Sequence, residues 1–189
     1  DYIKKYFLDY KTIRSDIEID LKSNKNTLMS SLAEDWKILL KETGSHSMTG
    51  GRLLRLKDEL VNEESFMLTY GDGVSDLDIS KLIDFHNSHT KIATISAVRP
   101  PARFGTMIFD GKMVSEFKEK PQAGEGWING GFFVFRKEIF DYLNDDSTIL
   151  EREPLESLAE NSELAAYKHE GFWQPMDTLR DKLSLEKSW

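Results

Sequence analysis

Residues 65–76 read SFMLTYGDGVSD. Phe66-Met67-Leu68-Thr69-Tyr70 is an apolar run of bulky and β-branched residues, the composition of a buried strand. Gly71-Asp72-Gly73 stops it abruptly, and a second acid follows at Asp76. In an open α/β sheet, ligands gather beyond the carboxyl ends of strands, so Asp72 is expected at a binding edge. A carboxylate between two glycines leaves bare backbone on both sides, which lets phosphate oxygens and a hydrated cation come close. A plain turn uses the same residue types, so these residues alone leave turn and metal site both open.

Around this stretch the chain is 189 residues long, the size of one ordinary domain, and 39% hydrophobic with 11 Phe, 4 Trp and 6 Tyr, enough for a sizeable core. Charged residues make up 31% with both signs interspersed, which reads as globular rather than disordered. A net charge of −8 argues against a general nucleic-acid binder, yet a few Lys and Arg in one cleft can still hold an anionic substrate. With no cysteine, the sequence has no disulfide, thiolate zinc site or cysteine nucleophile. No apolar run reaches membrane-spanning length and no signal peptide is evident, so a soluble, cytoplasmic protein with no membrane partner is expected.

The first residues, Asp1 to Phe7, read as the middle of an amphipathic helix, with Ile3, Tyr6 and Phe7 at helical spacing. Asp16 to Leu21 alternates apolar and acidic residues like a half-buried antiparallel strand, Thr27 begins a second, and Trp36 to Thr43 is a third candidate. Together they form an expected antiparallel excursion at about 14–43 within a single domain. Gly44 to Gly51 is a loop of small residues leading into helical periodicity through Leu53, Leu60 and Val61. Such a loop can offer backbone N–H groups to an anion, although it lacks the full phosphate-loop pattern. After the central strand a helix is expected up to His89; its pair His86/His89 reads as a packed or solvated helix face rather than a metal site. Lys91 to Val98 is a buried strand, and residues 104–109 and 113–120 form a hairpin turning at Asp110-Gly111. Trp127 to Phe135 is a strand whose Gly130-Gly131 marks a bulge or a close backbone approach. Ile139 to Leu143 is a short helix; the next opens with Thr148 and Glu151 spaced as a capping box and runs to about Asn161. Leu164 to His169 is a late strand, residues 171–177 a loop, and Thr178 to Lys187 a final helix with Asp177 or Thr178 as its N-cap.

The phrases HSMTGGRL, TYGDGVSD, RFG, EKP, WINGGFFVF and GFWQPMDTLRDK run in this order from about Thr43 to the end. In wording and spacing the chain resembles the sugar-1-phosphate nucleotidylyltransferases, most of all their glucose-1-phosphate cytidylyltransferase branch. The resemblance implies a three-layer α/β/α fold with a mixed, mainly parallel central sheet, and usually a homo-oligomer. It implies a reaction of CTP with α-D-glucose 1-phosphate that gives CDP-glucose and pyrophosphate, a step of nucleotide-sugar biosynthesis. The nucleophile is an ionised phosphate oxygen, so the reaction requires in-line placement and charge neutralisation rather than a protein nucleophile. By the same resemblance Asp72 and Asp177 hold Mg²⁺, while Ser47, Arg52 and Gly71 meet the nucleotide. Glu119 and Lys120 meet the sugar phosphate, and Arg103, Gly105, Asn129 and Gly130 line the sugar pocket.

Members of that family begin with a strand, a GGxGTR loop and a lysine-bearing segment that bind the triphosphate, and this sequence shows none of them. The chain is therefore expected to be N-terminally truncated, with an exposed apolar sheet edge, and inactive unless the absent part is supplied. Other readings are a sister enzyme using UTP or dTTP, a metal-dependent glycosyltransferase, and a non-catalytic sugar-phosphate-binding or assembly module.

Overall fold

The computed structural model describes residues 2–100, 106–118 and 126–188, and the chain divides into two compact units, residues 1–42 and 43–189. In the first, helix α1 (Tyr2–Ile13) precedes an antiparallel hairpin of β1 (Ser15–Asp20) and β2 (Lys25–Ser31), which pairs Asp20 with Lys25. The expected third strand at residues 36–43 does not form; residues 32–44 are irregular. Side-chain contacts take the place of a ladder there: Trp36 stacks on Tyr10 with ring centroids 6.0 Å apart, and the Tyr10 hydroxyl donates to Glu34 at 2.5 Å. The antiparallel excursion thus covers residues 15–31 rather than 14–43.

The second unit opens with two short helices, α2 (Thr49–Leu54) and α3 (Lys57–Leu60), then β3 (Ser65–Thr69) and β4 (Gly73–Ser75). Helix α4 (Ile79–Asn87), strand β5 (Ala93–Val98) and the hairpin β6 (Thr106–Asp110) and β7 (Met113–Lys118) follow. Strand β8 (Ile128–Arg136) runs into a 3₁₀ turn at Lys137–Tyr142, and α5 (Glu153–Glu160), β9 (Leu164–His169), β10 (Trp173–Pro175) and α6 (Leu179–Ser188) complete the unit. The central sheet has the order β3-β8-β5-β9; β8 is antiparallel to both β3 and β5, and β5 is parallel to β9. The sheet is mixed, as expected. Three of its strands point one way, yet two of its three neighbour pairs are antiparallel, because β8 runs in reverse between β3 and β5.

Strand alternation divides the core between two faces. Phe133 and Phe135 of β8 pack with Leu53, Ile139, Leu150 and Leu158 on one side, whereas Val134 packs with Leu77 and Leu82 of the α4 region on the other. Helices on both faces make the three-layer arrangement. The glycine pair in β8 produces the expected bulge: the β5–β8 register jumps from Ile95↔Phe133 to Ala97↔Asn129. Gly131 there has φ +79°, and a Cβ on it would come within 2.8 Å of the Tyr70 ring, so only glycine fits.

One expected helix start differs from the sequence reading, and at another the structure chooses between the two caps it offered. The Thr148/Glu151 capping box is absent: Thr148 Oγ1 accepts from the amides of Asn144 and Asp145, and α5 begins only at Glu153. At α6 a reciprocal box does form, but on Thr178 and Asp181. The Asp181 amide donates to Thr178 Oγ1 at 3.2 Å and the Thr178 amide to Asp181 Oδ2 at 3.0 Å. Thr178, not Asp177, is the cap.

Candidate active site

The carboxyl ends of β3, β5 and β9 and the amino end of β8 lie along one edge of the sheet, as the pairing Val98↔Ile128 and Val98↔His169 requires. Beyond β3 come Tyr70, Gly71 and Asp72; at the start of β8 stand Asn129 and Gly130. The stretch 171–177, read as loop, contains β10, which pairs antiparallel with β4 so that Pro175 lies opposite Gly73. Past that pair the Met176 amide donates to the Asp72 carbonyl at 2.8 Å. Residues 72 and 177, 105 positions apart, are thereby brought to the adjoining ends of one two-stranded ribbon. The Trp173 indole N–H donates to the Gly130 carbonyl at 2.8 Å and ties this ribbon to the β8 bulge.

Both acids are exposed, and each offers hard carboxylate oxygens beside a strand end. Two carboxylates leave most positions of an octahedral cation to waters and substrate phosphates, the usual arrangement for Mg²⁺, so these residues fit that ion. No group of three or more His, Asp or Glu placed to hold a metal occurs among the described residues. The other acid of the stretch, Asp76, is taken by His169, whose Nε2 lies 2.8 Å from Asp76 Oδ1.

The loop before α2 is held differently from the expectation. The Met48 amide donates to the Asp146 carbonyl at 2.8 Å, and the Gly50 and Gly51 amides donate to the Thr148 carbonyl at 2.9 and 3.2 Å. Those three N–H groups are spent inside the protein and are not offered to an anion. Arg55 makes a two-pronged ion pair with the Asp146 carboxylate, and this guanidinium, with a further bond from Ser47, holds that carboxyl below its usual range. Ser47 is buried there, and the exposed Arg52 donates to Thr43 Oγ1 at 2.9 Å. Ser47, Arg52 and Gly71 are the expected nucleotide residues. The first two flank the α2 entry; Gly71 is exposed beside Asp72. Of the expected sugar-phosphate residues, Asn129 and Gly130 sit at the bulge, while Arg103, Gly105, Glu119 and Lys120 lie outside the described residues.

Sequence reading missed the side chains that connect these loops. Tyr70 donates its hydroxyl to Glu151 Oε1 and accepts from Asn129 Nδ2 at 3.3 Å. Glu151 Oε2 accepts from the Thr49 hydroxyl at 2.6 Å. Burial, and next the Glu151 bond, push the Tyr70 phenol well above its ordinary range, so it stays a neutral donor.

A family model described as nucleotidyl transferase matches residues 25–178. The chain belongs to the nucleotidyl transferase family. It is 46% identical over 187 residues to a glucose-1-phosphate cytidylyltransferase of Salmonella typhi, covering 99% of this chain and 73% of that protein. A probable glucose-1-phosphate cytidylyltransferase of Bacillus subtilis is 40% identical over 188 residues, with the same coverage. This chain thus spans about three quarters of the length of those relatives, and the likeness read from its motifs is borne out. Among solved structures, a putative glucose-1-phosphate thymidylyltransferase from Bacillus anthracis superposes with a TM-score of 0.56 at 16% identity, covering 77% of this chain and 62% of that one. HddC from Yersinia pseudotuberculosis gives 0.52 at 23%, covering 75% and 63%. At these identities the structural matches establish the fold. No helix among the described residues is long and apolar enough to cross a membrane.

Proposed function

We propose that this chain carries the metal and sugar-phosphate side of a cytidylyltransferase, which joins CTP to α-D-glucose 1-phosphate and releases pyrophosphate. The observation that supports this most is the convergence of Asp72 and Asp177 at the ends of the β4–β10 ribbon, joined through the Met176 amide. The 46% identical Salmonella relative points to the same nucleotide and sugar.

In this reading an ionised phosphate oxygen of glucose 1-phosphate attacks the α-phosphorus of CTP. The new P–O bond forms as the bond to the β-phosphate oxygen breaks, and pyrophosphate leaves with that electron pair. No proton need be removed from the nucleophile, so the reaction asks for placement and charge neutralisation rather than a protein nucleophile and base. Mg²⁺, when bound, neutralises charge on the phosphates. Asp72 and Asp177 supply its protein ligands, Asn129 and Gly130 face the sugar, and Ser47, Arg52 and Gly71 serve the nucleotide. Lys120, with Glu119, meets the sugar phosphate, and Arg103 and Gly105 belong to the same pocket. The test is pyrophosphate release with CTP, glucose 1-phosphate and Mg²⁺, by the protein in the longest form its gene encodes. CTP-selective release supports the reading. Release with UTP or dTTP instead moves it to a sister enzyme, and silence with every nucleotide overturns it.

A further inference from the structure

Three loops assigned above to the ligands are joined by one carboxylate that none of those assignments includes. The network has a single direction of donation. The Leu150 amide donates to Thr49 Oγ1 at 2.9 Å, and the Thr49 hydroxyl donates in turn to Glu151 Oε2 at 2.6 Å. On the other oxygen Glu151 accepts from the Tyr70 hydroxyl, which accepts in turn from Asn129 Nδ2. Asn129 Oδ1 takes the Gly131 amide at 2.8 Å. That last bond fixes which way the Asn129 amide points, since its oxygen must meet the N–H and its nitrogen is left for Tyr70. Every hydroxyl in the chain both donates and accepts, and all of it terminates on the two oxygens of Glu151.

We propose that Glu151 is a positioning residue for nucleotidyl transfer, setting the loop of Thr49, the Tyr70–Asp72 turn and the Asn129–Gly131 bulge relative to one another. The inference rests on the function proposed above, because there the loop of Thr49 is given to the nucleotide, the Tyr70–Asp72 turn to nucleotide and cation, and the bulge to the sugar. The chemistry is specific to an ionised acid. A carboxylate can accept from Thr49 and Tyr70 at once, whereas an amide of the same shape offers one acceptor oxygen and points a donor at the second hydroxyl. Each hydroxyl is already oriented to give its proton. The spacing is long in sequence, 102 residues to Thr49 and 81 to Tyr70, so no local motif supplies this connection. It also accounts for why the Thr148/Glu151 pair does not cap α5: the glutamate is engaged at the site instead.

The experiment compares wild type with Glu151→Gln, Tyr70→Phe and Thr49→Val in two assays on the same preparations. Without any ligand, amide hydrogen exchange is read at Leu150 and Gly131, whose N–H groups end the two arms. Glu151→Gln should speed exchange at both, Thr49→Val at Leu150 and Tyr70→Phe at Gly131. In turnover, Glu151→Gln should raise KM for CTP and for glucose 1-phosphate and lower kcat/KM about 10-fold or more. Tyr70→Phe and Thr49→Val placed in the Glu151→Gln background should add little. A merely structural role would shrink the active fraction, lowering apparent kcat with both KM values unchanged, and that result overturns the proposal. So does unchanged exchange at Leu150 and Gly131 in Glu151→Gln. If wild type itself releases no pyrophosphate, the cytidylyltransferase reading fails, and with it the positioning role; exchange then shows whether the network survives as a structural one.

Discussion

Lowering the pH from 7 to 5 should weaken the fold through one histidine. His86 on α4 is completely buried, and its ring is wired through Thr94. The Lys91 amide donates to His89 Nδ1 at 3.2 Å, so His89 carries its proton on Nε2 and gives it to Thr94 Oγ1 at 3.0 Å. Thr94 then donates to His86 Nδ1 at 2.8 Å, which leaves the His86 proton on Nε2, a buried atom with no hydrogen-bond partner among the described residues. A second proton would have to enter at Nδ1, against a hydroxyl already oriented to donate. Burial, reinforced by the positive charge of Arg136 and by His89, lowers the His86 pKa to about 4 from 6.5. Between those values the unfolded chain binds a proton that the folded chain refuses, so stability is present above the unfolded pKa and falls as pH decreases. By linkage this group loses roughly 2 kcal/mol between pH 7 and 5, and about 3 kcal/mol once both states are charged. The assay is urea unfolding by circular dichroism at pH 7, 6 and 5 for wild type and His86→Asn, whose amide oxygen can still accept from Thr94. The variant should be weaker at pH 7 because a buried ring is lost. The difference between the two proteins should then close by about 2 kcal/mol at pH 5. A difference independent of pH would refute the reasoning.

Other substitutions test the metal pair, the α2 packing and the α6 cap. Asp72→Asn and Asp177→Asn should each abolish Mg²⁺-dependent pyrophosphate release while leaving the unfolding midpoint nearly unchanged, since both side chains are exposed; turnover near wild type in either removes that residue from the metal pair. Gly51→Ala should destabilise by about 1–3 kcal/mol in urea unfolding, because its Cβ would stand 2.5 Å from the Asp146 backbone, which cannot swing aside like a side chain. Thr178→Ala removes both the cap and the partner of Asp181 and should cost about 1 kcal/mol or less in the same assay.

Strand existence was legible in the sequence wherever a buried face forced a pattern. The apolar run before Gly71, the Lys91–Val98 segment and WINGGFFVF all became strands of one sheet. The last two are buried as read, whereas β3 ends the described strand order, with Phe66 and Leu68 half-buried against the core and Met67 exposed, so it is not the buried strand its composition suggested. Residues 36–43 carry a similar apolar content, but they join no ladder among the described residues; Trp36 and Glu34 meet Tyr10 of α1 instead, and a propensity without a partner decides nothing. The three-residue strands β4 and β10 were invisible for a related reason. Their pairing spans about a hundred residues, and Gly73 and Pro175 are poor strand formers.

The site shows the same division between local and distant causes. Asp72 announces itself by its glycines, and Asp177 only by the wording of GFWQPMDT, because what places it is the ribbon and the Met176–Asp72 bond. Glu151 announced the wrong thing. Its spacing from Thr148 fits a cap, and in isolation that local bond is the available one, but the folded chain brings Tyr70 and Thr49 within reach. Two hydroxyl donors converging on one ionised acid outcompete a single amide at a helix end. Thr148, released from the glutamate, turns to the amides of Asn144 and Asp145, and its carbonyl clasps Gly50 and Gly51. The failed cap and the held loop are thus one event: the segment 144–151 gives up regular helix in order to grip the loop that begins at Ser47.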